Sequence, residues 1–303
     1  MSAGQSFFPP KPAVRRSFGK AATSYDGNAF LQREIADRLF ERLDYIKLQP
    51  ATALDIGCGT GYATAKLRER YANADIIGLD LAENMLSSAR YQAKSTSWLK
   101  RILRHAPRQS WLCGDAESLP LDAGSVDLAI SNLALQWCDP ERVAIEVARV
   151  LRPNGLFMFT SFGPDTLKEL RAAFRNLDDR PHVNRFVDMH DLGDILAHAG
   201  FADPVMDQEI ITLTYATLSP MLKELKGIGA HNVLNGRRTG LTGRTGWARM
   251  VAAYEAFRKD GRLPATFEVV YGHAWKPESI KRRTIDGQQA IALDEFKRMV
   301  RNP

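Results

Sequence analysis

The octapeptide Leu54-Asp55-Ile56-Gly57-Cys58-Gly59-Thr60-Gly61 limits what this chain can fold into more than any other stretch. An apolar run at 51–56 reads as a strand, three glycines follow at alternate positions, and residues 62–71 read as a helix. Without Cβ atoms at 57, 59 and 61 the chain can turn sharply and let a ligand come close to its main chain. The helix behind offers free N–H groups. In the dinucleotide fingerprint G-x-G-x-x-G the third glycine falls one place later, whereas here the spacing is G-x-G-x-G with Asp55 two residues ahead of Gly57. The stretch is a ligand-binding turn between a strand and a helix.

The alternation continues. Residues 75–79 form a second strand that ends at Asp80, nineteen positions after Gly61. A carboxylate there can accept hydrogen bonds from both hydroxyls of a ribose, or serve as the N-terminal anion of a helix over 83–92. A basic connection at 98–108 leads to strand three at 109–113 and the turn Gly114-Asp115-Ala116-Glu117-Ser118-Leu119-Pro120. Strand four at 126–131 ends in Asn132-Leu133-Ala134-Leu135-Gln136-Trp137, at the carboxyl edge where open α/β sheets place their reacting groups. A helix at 140–151, the turn Arg152-Pro153-Asn154-Gly155 and strand five at 156–161 complete five βα steps. After a helix at 188–199, strands at 204–215 and 266–275 bring the total to seven. The fold expected is α/β: a Rossmann-like, doubly wound, seven-stranded sheet.

Two stretches, 163–187 and 216–264, are not needed by the sheet and are expected to pack together as a small helical cap over the strand ends. Residues 1–14 read as a disordered arm. Residues 15–162 then form the ligand-binding core, and 188–215 with 265–303 supply the rest of the sheet and a C-terminal helix. Ahead of an amphipathic helix at 28–43, Phe18 and Tyr25 are large rings in a segment with no strong period, which suits a lid.

Bulk properties narrow the partners. No apolar run approaches the eighteen or so residues of a membrane helix, and the N-terminus has no signal-peptide core, so a cytoplasmic protein is expected. Cys58, Cys113 and Cys138 have no metal-ligand spacing and read as reduced thiols; no metal is expected. The net charge is +6, and residues 221–303 carry sixteen Lys/Arg against eight Asp/Glu, so the positive field belongs to the C-terminal part and favours an acidic partner.

The glycine loop resembles motif I of the S-adenosylmethionine-dependent methyltransferases. Four further strings, Phe18-Gly19-Lys20-Ala21-Ala22 with Tyr25-Asp26, residues 161–171, Arg180-Pro181-His182-Val183-Asn184-Arg185-Phe186 and Leu225-Lys226-Gly227-Ile228-Gly229-Ala230, resemble the malonyl-acyl-carrier-protein O-methyltransferases of biotin synthesis. The resemblance covers nearly the whole chain after residue 14. It implies S-adenosylmethionine as cofactor, with Asp55 setting the loop, Gly57, Cys58, Gly59 and Gly61 passing the amino-acid end, and Asp80 with Leu81 at the ribose. Asp115 and Ala116 would meet the adenine, and Asn132 would close the site.

The implied acceptor is the free carboxylate of a malonyl group on acyl carrier protein, or on coenzyme A. A carboxylate is ionised at neutral pH and needs no general base. What it needs is orientation, for which Arg171 and Arg185 are candidate clamps, His182 and Asn184 their candidate partners and Tyr25 the lid. Arg171 could equally lie on a solvated helix face beside Asp165 or Glu169. Acyl carrier proteins are acidic, so Arg237, Arg238, Arg244 and Arg249, with Lys281, Arg282 and Arg283, are candidates for a docking surface. Strand four lacks the Asn/Asp-Pro-Pro-aromatic string of amino-directed DNA methyltransferases, which argues against nucleic acid. The alternatives are an arginine-modifying assembly factor of respiratory complex I, which shares part of 165–171, and a non-catalytic cofactor-binding partner module.

Overall fold

The computed structural model describes residues 8–95, 108–175, 177–178, 180–234, 236–237, 240, 242–278, 283–285 and 288–290. Its strands are β1 (Thr52–Ile56), β2 (Asp75–Asp80), β3 (Gln109–Cys113), β4 (Val126–Asn132), β5 (Leu151–Phe162), β6 (Ala202–Tyr215) and β7 (Leu263–Trp275), with a separate hairpin of β8 (Arg283–Ile285) and β9 (Gln288–Ala290). The helices are α1 (Lys11–Ala21), α2 (Tyr25–Asn28), α3 (Phe30–Leu43), α4 (Tyr62–Arg70), α5 (Glu83–Ser95), α6 (Pro140–Val150), α7 (Lys168–Arg175), α8 (Met189–His198), α9 (Leu218–Gly227) and α10 (Arg244–Glu255).

The seven strands form one sheet in the order β3-β2-β1-β4-β5-β7-β6. The first five run parallel, and β7 is antiparallel to both β5 and β6. Central strands are apolar because both faces are covered: Ala53, Leu54 and Ile56 of β1 are buried, as are Leu128, Ala129 and Ile130 of β4. β6, at the edge, alternates between partly covered and exposed residues. One apolar layer joins α3, α4 and the cap helices to the sheet, and a second lies under α6 and α8. α6 shows how locally this is determined. Val143, Ala144, Val147 and Val150 make its buried stripe, Pro140 opens it, and the Asp139 carboxylate accepts the Glu141 N–H at 3.1 Å.

The strand order reverses between β1 and β4, so the crevice beyond their carboxyl ends is the place where such a sheet leaves room for a ligand. The cap forms there from both leftover stretches, α7 packing against α10.

Several boundaries differ from the sequence reading. The supposed arm at 1–14 is helical from Lys11 onward, because Pro10 and Pro12 suit a helix start and Val14, 5% exposed, is buried beneath it. Residues 1–7 lie outside the described residues, as do most of the basic connection at 98–108 and the stretch 291–303 expected to hold a C-terminal helix. The helix expected at 28–43 is α3, which begins at Phe30, and a separate short helix, α2, precedes it. The turn at 152–155 is a bulge inside β5, with Asn154 at φ +63° and a register shift against β4. Among the described residues no helix is long and apolar enough to cross a membrane.

Candidate active site

Three strand ends build the centre. After β1 the glycines take left-handed backbone, with φ of +71° at Gly57, +54° at Gly59 and +93° at Gly61, a region costly for residues with a Cβ. A Cβ on Gly57 would also overlap the Ala134 side chain in the loop after β4. The Gly57 and Cys58 N–H groups donate to Leu79 O at 2.8 and 2.9 Å. The Gly59 N–H donates to Asp80 Oδ2 at 2.9 Å, and Asp80 Oδ1 accepts the Ala82 N–H at 2.8 Å ahead of α5. Asp80 thus holds the loop as well as the start of α5.

The expected loop-setting role of Asp55 is corrected by this arrangement. Asp55 is buried and its Oδ2 accepts the Thr64 hydroxyl at 2.5 Å, which ties the first turns of α4 to β1; its Oδ1 is buried without a partner. Burial raises both carboxylates, Asp55 to about 7 and Asp80 to about 6, the latter opposed by the Ala82 and Gly59 N–H groups.

A cleft of about 730 Å³ runs along these strand ends, lined by Tyr25, Gly57, Gly59, Asp80, Leu81, Asp115, Ala116 and Asn132 among others. Asp55 and Cys58 line a smaller adjoining cavity with Tyr25, Gln32, Thr60 and Asn132. Gly61 lines neither and serves the turn. Asn132 bridges elements: its Nδ2 donates to Gln32 O at 3.0 Å and its Oδ1 accepts from Thr160 at 2.8 Å. Tyr25 opens α2 above Gly59, where burial and the charge of Asp80 hold its phenol protonated.

α1 closes the cleft from above. Lys11 pairs with Asp115 at 3.1 Å and Glu117 at 2.6 Å. Burial alone would lower the Lys11 ammonium, but its acidic neighbours outweigh burial and keep it charged. Phe18 meets Trp137 edge-on at 5.1 Å, and Asn84 and Leu81 hold the helix through Gly19 O and the Arg15 guanidinium at 2.9 and 3.1 Å. On its other side the Ser17 hydroxyl donates to Gly229 O at 2.8 Å and the Ser24 hydroxyl to Gly227 O at 2.9 Å.

A second deep cavity, about 580 Å³, shares Trp137 with the cleft and Gln32 with the smaller cavity. Its walls are apolar, with Phe162, Leu167, Leu170, Phe186 and Phe267, and no Lys or Arg is among its lining residues. His182 and Asn184 do line it. The His182 ring stacks on Phe174 at 4.1 Å and its Nε2 lies 2.7 Å from Asp178 Oδ1.

The two arginine clamps are not in this cavity. The Arg171 guanidinium donates to the carbonyls of Pro164 at 2.7 Å, Thr166 at 3.1 Å and Asn184 at 3.4 Å, so it braces the loop instead of meeting a ligand. Arg185 is exposed. A half-buried arginine on a helix beside a tight loop is recruited by loop carbonyls that need a donor. Gly163, Asp165 and Glu169 brace the same segment: a Cβ on Gly163 would overlap the Glu268 carboxylate, which accepts the Asp165 N–H at 2.6 Å, and Glu169 accepts the Thr266 N–H at 3.1 Å, while Thr166, Leu167 and Leu170 line the cavity.

Lys11, Gln32, Gln136 and Trp137 enter the site without having been assigned to it from sequence. Gln136 and Trp137 had a signal, their place directly after β4; Lys11 was hidden in an apparently featureless arm. Of the basic candidates, Arg244 and Arg249 are exposed on α10, whereas Arg238, Lys281 and Arg282 lie outside the described residues. Among the described residues no group of three His, Cys, Asp or Glu is placed to hold a metal.

Comparison with known proteins agrees with this geometry. The methyltransferase-domain family matches residues 54–159, from β1 to β5. The YcgJ protein of Bacillus subtilis shares the fold, with a TM-score of 0.55 at 17% identity over 80% of this chain and 98% of that one. The malonyl-[acyl-carrier protein] O-methyltransferase of Gallionella capsiferriformans is 53% identical over 95% of this chain and 97% of its own length. That of Laribacter hongkongensis is 52% identical over 95% and 96%. A likeness of this extent spans both cap stretches and places the chain by more than its cofactor fold: it belongs to the malonyl-[acyl-carrier protein] O-methyltransferase family.

Proposed function

We propose that the chain transfers a methyl group from S-adenosylmethionine to the free carboxylate of a malonyl group carried by acyl carrier protein, giving the methyl ester thioester that primes pimeloyl synthesis for biotin. The observation that carries this reading is the shared wall. A cleft with a glycine turn and acidic strand ends meets, at Trp137, an apolar cavity that no Lys or Arg lines among the described residues.

The residues fit the cofactor. The unpartnered Asp55 Oδ1 and the Cβ-free turn suit an ammonium group and the main-chain end of an amino acid. Asp80 has lone pairs left for ribose hydroxyls after its two N–H bonds, and Asp115 with the Ala116 N–H suits adenine. S-adenosylmethionine supplies a methyl group on a sulfonium sulfur.

Everything else is positioning. The acceptor arrives ionised, so no side chain has to take a proton. A guanidinium on that carboxylate would dull its nucleophilicity, whereas an apolar wall keeps water out and, by desolvating the ion, leaves it more reactive toward the methyl group. Orientation of this kind is worth on the order of 7–11 kcal/mol in the best intramolecular cases. Tyr25 and α1 complete the enclosure, and the biosynthetic role accords with a cytoplasmic site of action.

The test is methyl transfer from labelled S-adenosylmethionine to malonyl-acyl-carrier protein, with succinyl-acyl-carrier protein, malonyl-coenzyme A and bulk RNA as competitors. Label is expected on the malonyl thioesters. Good cofactor binding with no label on either malonyl thioester would falsify the reading.

A further inference from the structure

The second cavity holds an unusual polar residue set. Gln136, 8% exposed, and Asn184, 9% exposed, each present a buried side-chain oxygen with no hydrogen-bond partner, and so does the half-buried Gln32. All three line this one cavity. Buried acceptors left unpaired are uncommon and cost stability, so three in one apolar chamber point to a ligand. His231, an exposed residue, also lines the cavity, and partial burial with the charges of Lys226 and Lys20 disfavours its protonated form; the other polar side chains there are occupied. Thr166 exchanges bonds with Glu268, Asn232 bonds to Pro181 O and the Leu234 N–H, and His182 pairs with Asp178.

The unpaired groups also specify what they need. Gln136 Nε2 donates to Leu133 O at 2.6 Å, which fixes the amide and leaves its oxygen as the unpaired atom. An oxygen accepts; a carboxylate, which has only acceptors, cannot satisfy it. The partner must bring N–H or O–H donors on an otherwise apolar chain. A pantetheine arm has this chemistry, with two secondary-amide N–H groups and a hydroxyl between methylene and methyl groups.

Building on the function proposed above, we infer that this cavity recognises the pantetheine arm of the acceptor through its two amide N–H groups and its hydroxyl, with Gln136, Asn184 and Gln32 as acceptors. Selectivity for a carrier thioester then resides in three neutral amides, and the carboxylate is held by its tether instead of by a cation. Coenzyme A and acyl carrier protein share the arm, so the cavity accepts either, and surfaces outside it choose between them.

Binding tests this without methyl transfer. Kd is measured by calorimetry for S-methyl pantetheine and for its depsi analogue, in which ester oxygens replace both amide N–H groups, on the wild type, Asn184→Leu and Gln136→Met. Each variant is expected to weaken S-methyl pantetheine roughly three- to tenfold, as for one buried hydrogen bond, and to leave the depsi analogue within twofold. Asn184→Leu is also expected to raise the melting temperature of the ligand-free protein, since it removes an orphaned acceptor; a merely structural asparagine would give a lower one. Equal losses for both ligands, unchanged affinity in both variants, or no binding of S-methyl pantetheine to the wild type would overturn the inference. A wild type that binds the arm yet methylates no malonyl thioester would sink the proposed reaction and leave the cavity's assignment standing. Comparing malonyl-acyl-carrier protein with malonyl-coenzyme A on the wild type then identifies which source of the arm the enzyme prefers.

Discussion

Asp80 does two jobs whose pH dependences run in opposite directions. Its folded pKa, raised to about 6 from 3.8 by burial, means that the folded chain holds the proton more tightly than the unfolded one. The stabilising contribution is therefore complete below about 4 and lost as pH rises through about 6. Ligand-free protein at neutral pH carries a cost there. His231 and the half-buried His273, whose pKa values are lowered by desolvation, work the other way in the same window, so the measurement is a difference. The melting temperature of Asp80→Asn minus that of the wild type is expected to fall as pH drops from 7.5 to 5. Cofactor affinity of the wild type is expected to weaken over the same interval, and Asp80→Asn to bind roughly tenfold more weakly at pH 7.5, the worth of a hydrogen bond to a charged acceptor. A pH-independent difference would show that Asp80 is not the titrating group. Arg171 is the contrasting residue. Arg171→Ala removes three bonds to carbonyls and should cost about 1–3 kcal/mol of stability with cofactor Kd unchanged, while Arg185→Ala should change neither. A tenfold loss of kcat/KM for malonyl-acyl-carrier protein in Arg185→Ala, with stability intact, would restore the cationic clamp. The acidic strand ends were legible in the sequence because their spacing follows from sheet geometry. The arginines were misread because charge complementarity says what a residue could bind, and only the packed loop says what it already does.

The elements explain why the cap strings are so characteristic. Two of them, 18–26 and 225–230, are halves of one contact: Ser17 and Ser24 bond to the carbonyls of Gly229 and Gly227, and a Cβ on Gly227 would overlap the Asn28 side chain. The N-terminal helices are thus seated on α9 on one side and on α5 on the other, over the cleft. Periodicity could reveal neither half, since a glycine that admits a neighbouring side chain leaves no pattern in its own segment. Gly227→Val is expected to lift α2, speed amide hydrogen exchange in residues 11–28 and weaken cofactor binding several-fold. Gly240→Ala, with nothing within 4 Å of the added Cβ, is the neutral control. Unchanged exchange in Gly227→Val would mean that α9 is not the seat. The parallel sheet, by contrast, was readable from alternation alone, because every βα step repeats the same apolar run and turn chemistry.

At the scale of the molecule, the acceptor cavity and the positive charge lie on the same cap. Residues 221–303 hold the basic surplus, and α10, packed on α7, presents Arg244 and Arg249 to solvent with Trp247, 44% exposed, between them. We propose this face as the dock for an acidic carrier protein, whose attraction would act over roughly 8–10 Å at moderate ionic strength. The arm's recognition inside the cavity is neutral and short-ranged, so the two contributions separate by salt. For malonyl-acyl-carrier protein, kcat/KM is expected to fall steeply, roughly tenfold, between 50 and 500 mM salt, and the double variant Arg244→Glu, Arg249→Glu to start near the high-salt value. For malonyl-pantetheine, which lacks the protein, both enzymes should give the same rate at either salt concentration. A carrier-protein rate that ignored salt would remove α10 as the docking face, because no other term in the encounter falls off on the scale of the Debye length.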